Sequence, residues 1–496
     1  MIRKELDWPN HPKIYEINTW PWLYDLSDRY NYPITLENVP EEVIDAEISS
    51  FNVIWLMGVW ERSPRGRDIA INHPDLQKEY NQALRYFSTD DVVGSPYAVH
   101  YYHVDSHLGT EKGLAFFRKQ LYDRGLFLLL DYVPNHVAID HIWTLEKSDA
   151  FIEGTIEEQM SNPYDFFSVG DKVYTHGRDP YFPPWTDTVQ INAFSPEARQ
   201  KAINTLLNIA KKCDGVRCDM AMLMTNDVFK KTWKDKAGET PDKEFWREII
   251  PKVKEKFPNF KFLAEVYWDM EWDLLQQGFD YCYDKKLYER LAHDNVESII
   301  AHLQAEWDYQ SKLVRFIENH DEQRAMKLFG EKKARAASMI LLTLPGARLI
   351  HEGQMEGYTI KLPVQLRRWP MEEKNPGLVK FYLKLLKIIP GKNYRKEQWS
   401  LCNIEPVGKD ESFKNLIAYT WSVEHRDILV VVNYSTYLTQ GHVRIEGVHY
   451  GSNKWTFSDV ITEEKFIYKG EDLDTHGLYV DLDAWQSHIF DIKKIE

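Results

Sequence analysis

The feature that most constrains this chain is an eightfold alternation of short apolar runs with segments of helical period. The runs are IYEINTW (14–20), NVIWLMGVW (52–60), FLLLDYV (127–133), GVRCDMA (215–221), FKFLAEVYW (260–268), FDYCYD (279–284), LVRFIENH (313–320) and ARLIHEG (347–353). Most are apolar nearly throughout, the pattern of parallel strands buried on both faces. Between them, GTEKGLAFFRKQLYDRG (109–125) sets Leu114, Phe117 and Leu121 on one face, opposite Glu111, Lys112, Arg118 and Lys119. SPEARQKAINTLLNIAKKC (195–213) opens with Ser195, Pro196 and Glu197, a cap, a first-position proline and a first-turn acid. EKKARAASMILLTL (331–344) leads through Pro345-Gly346 into the eighth run. Eight strand–helix repeats predict an α/β chain folded as a (β/α)8 TIM barrel.

Two regions depart from the alternation. Residues 137–194 are rich in Asp, Tyr, Pro and Gly and read as a loop-rich subdomain inserted after strand 3. Beyond Pro390 only strands recur: LIAYTWSV (416–423), DILVVVNYS (427–435), KWTFSDVI (454–461) and SHIFDI (487–492). They predict a C-terminal antiparallel β-sandwich. The expected domains are therefore a barrel over 1–136 and 195–392, the insert over 137–194 and the sandwich over 393–496.

Composition narrows the function classes. With 61 Lys and Arg against 76 Asp and Glu, the net charge of −15 repels a phosphate backbone, so no nucleic-acid partner is expected. No apolar run reaches the roughly 18 residues a membrane helix needs. The start, MIRKELDWPN, has no apolar core of a signal peptide, which suggests a cytoplasmic protein, although a secreted form with its signal removed would look alike. Cys213, Cys218, Cys282 and Cys402 form no CxxC pair, so no zinc knuckle or redox motif is expected. The 17 Trp, 28 Tyr and 23 Phe cluster in places such as YFPPW (181–185) and YWDMEW (267–272), and serve either core packing or the stacking of sugar rings.

Chemistry in such a barrel sits at the carboxyl ends of the strands. Four of those ends carry carboxylates: Asp131 in DYVPNH, Asp219 in GVRCD, Glu265 in FLAEVYW and Asp321 in FIENHD, with Arg217, His136 and His320 beside them. Gathering several carboxylates around one axis costs stability through repulsion and desolvation, a cost that usually marks a functional site.

These four segments, on strands three, four, five and seven and in that order, resemble the conserved regions of the α-amylase family of glycoside hydrolases and transglycosidases. SPYAVHYYHVDSHLGT (95–110) and VQIN (189–192) resemble two further motifs of that family. The resemblance implies a retaining glycosidase acting on α-linked glucosides or α-glucans. Asp219 would be the nucleophile that forms a covalent glycosyl-enzyme, Glu265 the general acid and base, and Asp321 the stabiliser of the distorted transition state. It implies substrate-binding roles for Tyr97, His136, Arg217 and His320, with Arg217 keeping Asp219 ionised and oriented. Asp131 is expected to support the site from below. No cofactor is implied; a structural calcium at Asn135 is a possibility the resemblance raises, with a hydrogen-bonded Asn as the alternative.

Departures from the family pattern leave the specificity open. MAMLMTND follows Asp219 where starch-cleaving members often carry a Lys-His pair, and Ala98 stands where many exo-acting members have Asp. Met220, Met222 and Met224 alternate past the nucleophile and are expected to pack in the core, with an apolar acceptor wall as the alternative. Arg367-Arg368-Trp369 either line the cleft or pack a loop. Hydrolysis is the leading expectation, with glycosyl transfer as its rival and Trp185 and Trp268 as candidate acceptor platforms. A non-catalytic amylase-like binding protein is a lesser alternative. The partner expected is an oligo- or polysaccharide; the oligomeric state is left open.

Overall fold

The computed structural model describes residues 6–146, 148–388, 399–423 and 426–495. All eight predicted runs become strands of one closed parallel barrel: β1 (Lys13–Asn18), β2 (Val53–Met57), β3 (Phe127–Tyr132), β4 (Gly215–Cys218), β5 (Lys261–Ala264), β6 (Tyr281–Tyr283), β7 (Leu313–Arg315) and β8 (Ala347–His351). Around the barrel they run β1-β8-β7-β6-β5-β4-β3-β2. Every residue of β2, β4 and β8 is buried; β2 is accordingly an unbroken apolar run, while β4 also buries Arg217 and β8 buries Arg348 and His351. By contacts the chain divides into two compact units, Met1–Trp8 with Ile14–Tyr283 and Ile360–Glu372, and Pro9–Lys13 with Asp284–Thr359 and Glu373–Glu496.

Register does the positioning in the first unit. Arg217 on β4 pairs with Asp131 on β3 and Leu263 on β5, and Cys218 pairs with Tyr132 and Ala264. One residue further on, the Asp219 N–H donates to the Tyr132 carbonyl at 2.9 Å and the Glu265 N–H to the Cys218 carbonyl at 3.0 Å. Asp219 and Glu265 therefore leave adjacent strands at the same level.

The predicted helices form with their caps. The helix Glu111–Asp123 starts from Thr110, whose hydroxyl accepts from the Gly113 N–H, and Pro196–Ile209 starts from Ser195, which accepts from the Ala198 N–H. The helix before β8 begins earlier than its apolar pattern, at Ala325, and kinks at Gly330. The run 52–60 is broken at Gly58 (φ +76°), after which Trp60–Arg62 pairs antiparallel with Val99–Val104. Between these two short strands lie the helices Pro64–Asn72 and Pro74–Ala83.

The segment after β3 has a small core of its own, built from residues such as Val137, Phe151, Phe167, Tyr174 and Val189. A two-stranded and a three-stranded antiparallel sheet carry it. In the second unit the C-terminal strands form a six-stranded and a three-stranded antiparallel sheet around Leu429, Val431, Phe457, Val480 and Phe490. The expected boundary between barrel and sandwich, 392–393, lies outside the described residues.

Candidate active site

At the carboxyl end of β4, Arg217 is fully buried and enclosed by three aromatic rings. Its guanidinium carbon lies 5.1 Å from the Tyr97 ring centre, 5.4 Å from Trp55 and 5.8 Å from Tyr283. The rings exclude water and offer their negative faces to the cation. Arg217 Nη1 lies 2.6 Å from Asp219 Oδ1, and Nη2 lies 2.8 Å from Glu265 Oε2. One guanidinium thus spans both carboxylates, and these neighbours raise its pKa against the cost of burial.

Glu265 is fixed by two further donors. The Met220 N–H donates to Oε2 at 2.7 Å, and the Tyr267 hydroxyl donates to Oε1 at 2.8 Å. Met220 reaches that position in a left-handed backbone conformation (φ +41°), an uncommon geometry for a non-glycine residue. Met222 and Met224 are buried in the core, as expected for packing residues, whereas Met220 serves the site through its backbone.

Asp131 sits below this pair. Its carboxylate accepts from Trp55 Nε1 and from the Gly58 N–H, each at 3.2 Å, and its carbonyl accepts from Trp60 Nε1 at 2.7 Å. It braces the turn after β2. His136 is 3% exposed, and burial lowers its pKa to about 4, so its ring is neutral at pH 7. The ring hydrogen-bonds the Tyr97 backbone and lies 5.1 Å from the ring of Trp185.

Within the second unit, the loop after β7 is organised by Asn319, whose side-chain oxygen accepts from the N–H groups of Asp321 and Glu322 at 2.9 Å. The buried His320 places Nε2 3.0 Å from Asp321 Oδ2, and the Asp321 side chain is 46% exposed. Beside it a buried trio was not anticipated: Glu318 accepts from Arg324 Nη1 and the Ala325 N–H, both at 2.6 Å, with His351 Nδ1 at 3.3 Å.

The model of the alpha-amylase catalytic domain matches residues 93–375, more than half of the chain. The chain belongs to the alpha-amylase family. An alpha-amylase, MalA, of Haloarcula japonica is 26% identical over 265 residues, covering 52% of this chain and 35% of that protein. Alpha-amylase 3 of Dictyoglomus thermophilum is 23% identical over 430 residues, 74% of this chain and 77% of that protein. Among solved structures, an alpha-amylase from Geobacillus thermoleovorans complexed with acarbose superposes with a TM-score of 0.67 at 16% identity, over 98% of this chain and 99% of that one.

In this alpha-amylase-family chain the possible calcium ligand is otherwise engaged. Asn135 Oδ1 accepts from Gln190 Nε2 at 2.9 Å, and Asn135 Nδ2 donates to Gln190 Oε1 at 3.2 Å, a reciprocal amide pair. Calcium needs six to eight oxygen ligands, and no group of three His, Cys, Asp or Glu side chains among the described residues could hold a metal. The structure shows Asn135 as a hydrogen-bonded amide. No helix among the described residues is long and apolar enough to cross a membrane. Trp268 is 40% exposed, and its partner is Tyr181, with ring centres 5.1 Å apart, while Trp185 is turned towards His136.

Four contributors escaped the sequence reading. Trp55 and Tyr283 lie inside predicted strands, where an aromatic facing the axis looks like one facing a helix. Tyr267 stands two residues past Glu265, a spacing that returns a side chain to the same face and would have singled it out. Met220 acts through its N–H, which side-chain identity cannot report.

Proposed function

We propose that this chain is a retaining glycosidase that hydrolyses α-linked glucosides, with Asp219 as nucleophile, Glu265 as general acid and base, and Asp321 as transition-state stabiliser. The observation that carries the proposal is the single buried guanidinium of Arg217 contacting both Asp219 and Glu265. Two carboxyls side by side on one guanidinium fit the close spacing of a retaining enzyme, in which no water has to stand between them and the sugar.

In the first step an Asp219 oxygen forms a bond to the anomeric carbon while the glycosidic bond breaks and Glu265 gives its proton to the leaving oxygen. Glu265 Oε2 faces two groups that can only donate, Arg217 and the Met220 N–H. The proton therefore belongs on Oε1, where the Tyr267 hydroxyl can turn from donor to acceptor. In the second step Glu265 takes a proton from water, whose oxygen displaces Asp219 from the sugar. The Arg217 guanidinium beside Asp219 favours a carboxylate there, which attacks in the first step and leaves in the second. Tyr97 presents a ring for the sugar to stack on, His136 holds Tyr97 through its backbone, and His320 with Asp321 supplies partners for sugar hydroxyls.

Glycosyl transfer is the second reading, and the exposed pair Tyr181–Trp268 favours it as a platform for an acceptor sugar. Trp268 has φ +64° and Asp269 φ +60°, consecutive left-handed residues that set the ring outward just past Glu265. A timed product profile on maltose, maltoheptaose, trehalose, sucrose and soluble starch, with Asp219→Asn as control, separates the readings. Shorter reducing sugars alone mean hydrolysis; products longer than the donor, or a new non-reducing disaccharide, mean transfer. Equal turnover by the Asp219→Asn protein would remove both.

A further inference from the structure

A cavity of about 390 Å³ opens in the first unit, where the segments after β1, after β2 and at 360–372 meet. Three arginines on its wall, Arg62, Arg67 and Arg367, outnumber its two carboxylates, Asp90 and Asp105, in a chain whose net charge is −15. Its donors and acceptors are unequally used. Asp105 accepts from the His107 N–H and stands 2.9 Å from His107 Nδ1, while Asp90 faces solvent. Arg67 spends Nε on the Val92 carbonyl at 2.6 Å.

Arg62 is 5% exposed and makes only two guanidinium hydrogen bonds, both from Nη1, to the carbonyls of Gly94 at 2.6 Å and Val364 at 3.0 Å. Among the described residues its Nε and Nη2, like Arg367 Nε and Trp20 Nε1, are buried without a hydrogen-bond partner, and the Arg62 guanidinium carbon lies 5.6 Å from the Trp20 ring centre. Burial pushes the Arg62 pKa down to about 10, against the opposing pull of Asp105, Tyr97 and Asp131. Leaving buried donors unmet costs about 1–3 kcal/mol each, more for charged groups. A neutral hydroxyl would satisfy a donor and leave the excess charge. A tetrahedral oxyanion answers both, and the planar guanidinium fork suits it.

The cavity adjoins the carboxylate site. A Cβ on Gly58 would stand 2.8 Å from Arg62 Nη2, and the Gly58 N–H is the one Asp131 accepts. Tyr97 neighbours Arg62 on one side and faces Arg217 on the other.

We propose that this cavity is a phosphoryl-binding site beside the glycosidase centre, taking either inorganic phosphate or the phosphate of a phosphorylated α-glucoside. The second source rests on the glycosidase reading; binding of the anion itself does not. The test is calorimetric titration of the full chain, at constant ionic strength, with inorganic phosphate, glucose 6-phosphate, glucose and acetate. Saturable binding of phosphate or of glucose 6-phosphate is expected, with no binding of glucose, and with affinity at least about tenfold lower in Arg367→Ala. Arg62→Gln tests the buried donor, with circular dichroism and a melting curve reporting whether it folds. Tighter binding of glucose 6-phosphate than of phosphate identifies the ester as the source, and the reverse identifies the free ion. No saturable binding of either, equal affinity in Arg367→Ala, or acetate binding as tightly as phosphate would overturn the proposal. Activity on uncharged maltoheptaose in phosphate-free buffer judges the glycosidase reading separately.

Discussion

At the scale of single residues, the site turns on which atoms can carry a proton. Glu265 Oε2 is occupied by donors, and Tyr267 on Oε1 is the partner able to accept. Tyr267→Phe is expected to lower turnover by about tenfold, the worth of one hydrogen bond at a reacting group, with the melting temperature little changed. An unchanged turnover in steady-state assays would place the proton elsewhere. Glu265→Gln removes the acid altogether, a loss on the order of 10²–10⁴ for poor leaving groups. Activated aryl glycosides, whose departure needs no proton, should lose far less in parallel assays; equal losses would contradict the acid role.

At the scale of elements, the turn after β2 depends on Asp131. Asp131→Ala removes from the interior the carboxylate that accepts from the Trp55 indole N–H and the Gly58 N–H. The expected cost is about 2–4 kcal/mol, read as a lower midpoint in chemical denaturation, and a midpoint equal to wild type would show that other groups hold the turn.

The barrel strands were legible in the sequence because parallel strands, buried on both faces, are spelled in apolar residues. The C-terminal strands were legible only in part. Thr439–Arg444 alternates buried and half-buried positions, but its inward residues are Thr439, Gly441 and Val443, so the pattern hides in small and polar side chains. Leu478–Leu482 alternates cleanly between buried and exposed and could have been found from that period alone. The strand ends named Asp219, Glu265 and Arg217 correctly as neighbours, since register follows from strand order. At Asn135 two readings stayed open in the sequence because its amide fits a metal ligand and a reciprocal amide pair equally well; the pair depends on Gln190, far along the chain.

At the scale of the whole molecule, buried neutral histidines tie stability to acid. The pKa of His136 falls from 6.5 to about 4 and that of His141 from 6.5 to about 3, in both cases chiefly through burial. In the unfolded chain both take up protons near pH 6.5. Between that value and the folded pKa the unfolded state binds more protons, so stability drops as pH is lowered through this window and levels off below it. His136 alone accounts for about 3 kcal/mol. Denaturant midpoints measured from pH 7 to pH 4 should fall, and His136→Gln should flatten part of that slope; a slope identical to wild type would mean that His136 is not buried as a neutral ring.

The central claim is that Asp219 and Glu265 act as a closely spaced pair on an α-glucosidic bond, so the anomeric configuration should be kept. Proton NMR of maltoheptaose, recorded in the first minutes after enzyme is added and before mutarotation, reads that configuration directly. The α-anomer appearing first, and no release by Asp219→Asn, is the predicted result. The β-anomer appearing first would mean direct attack by water, and Asp219 would not be the nucleophile.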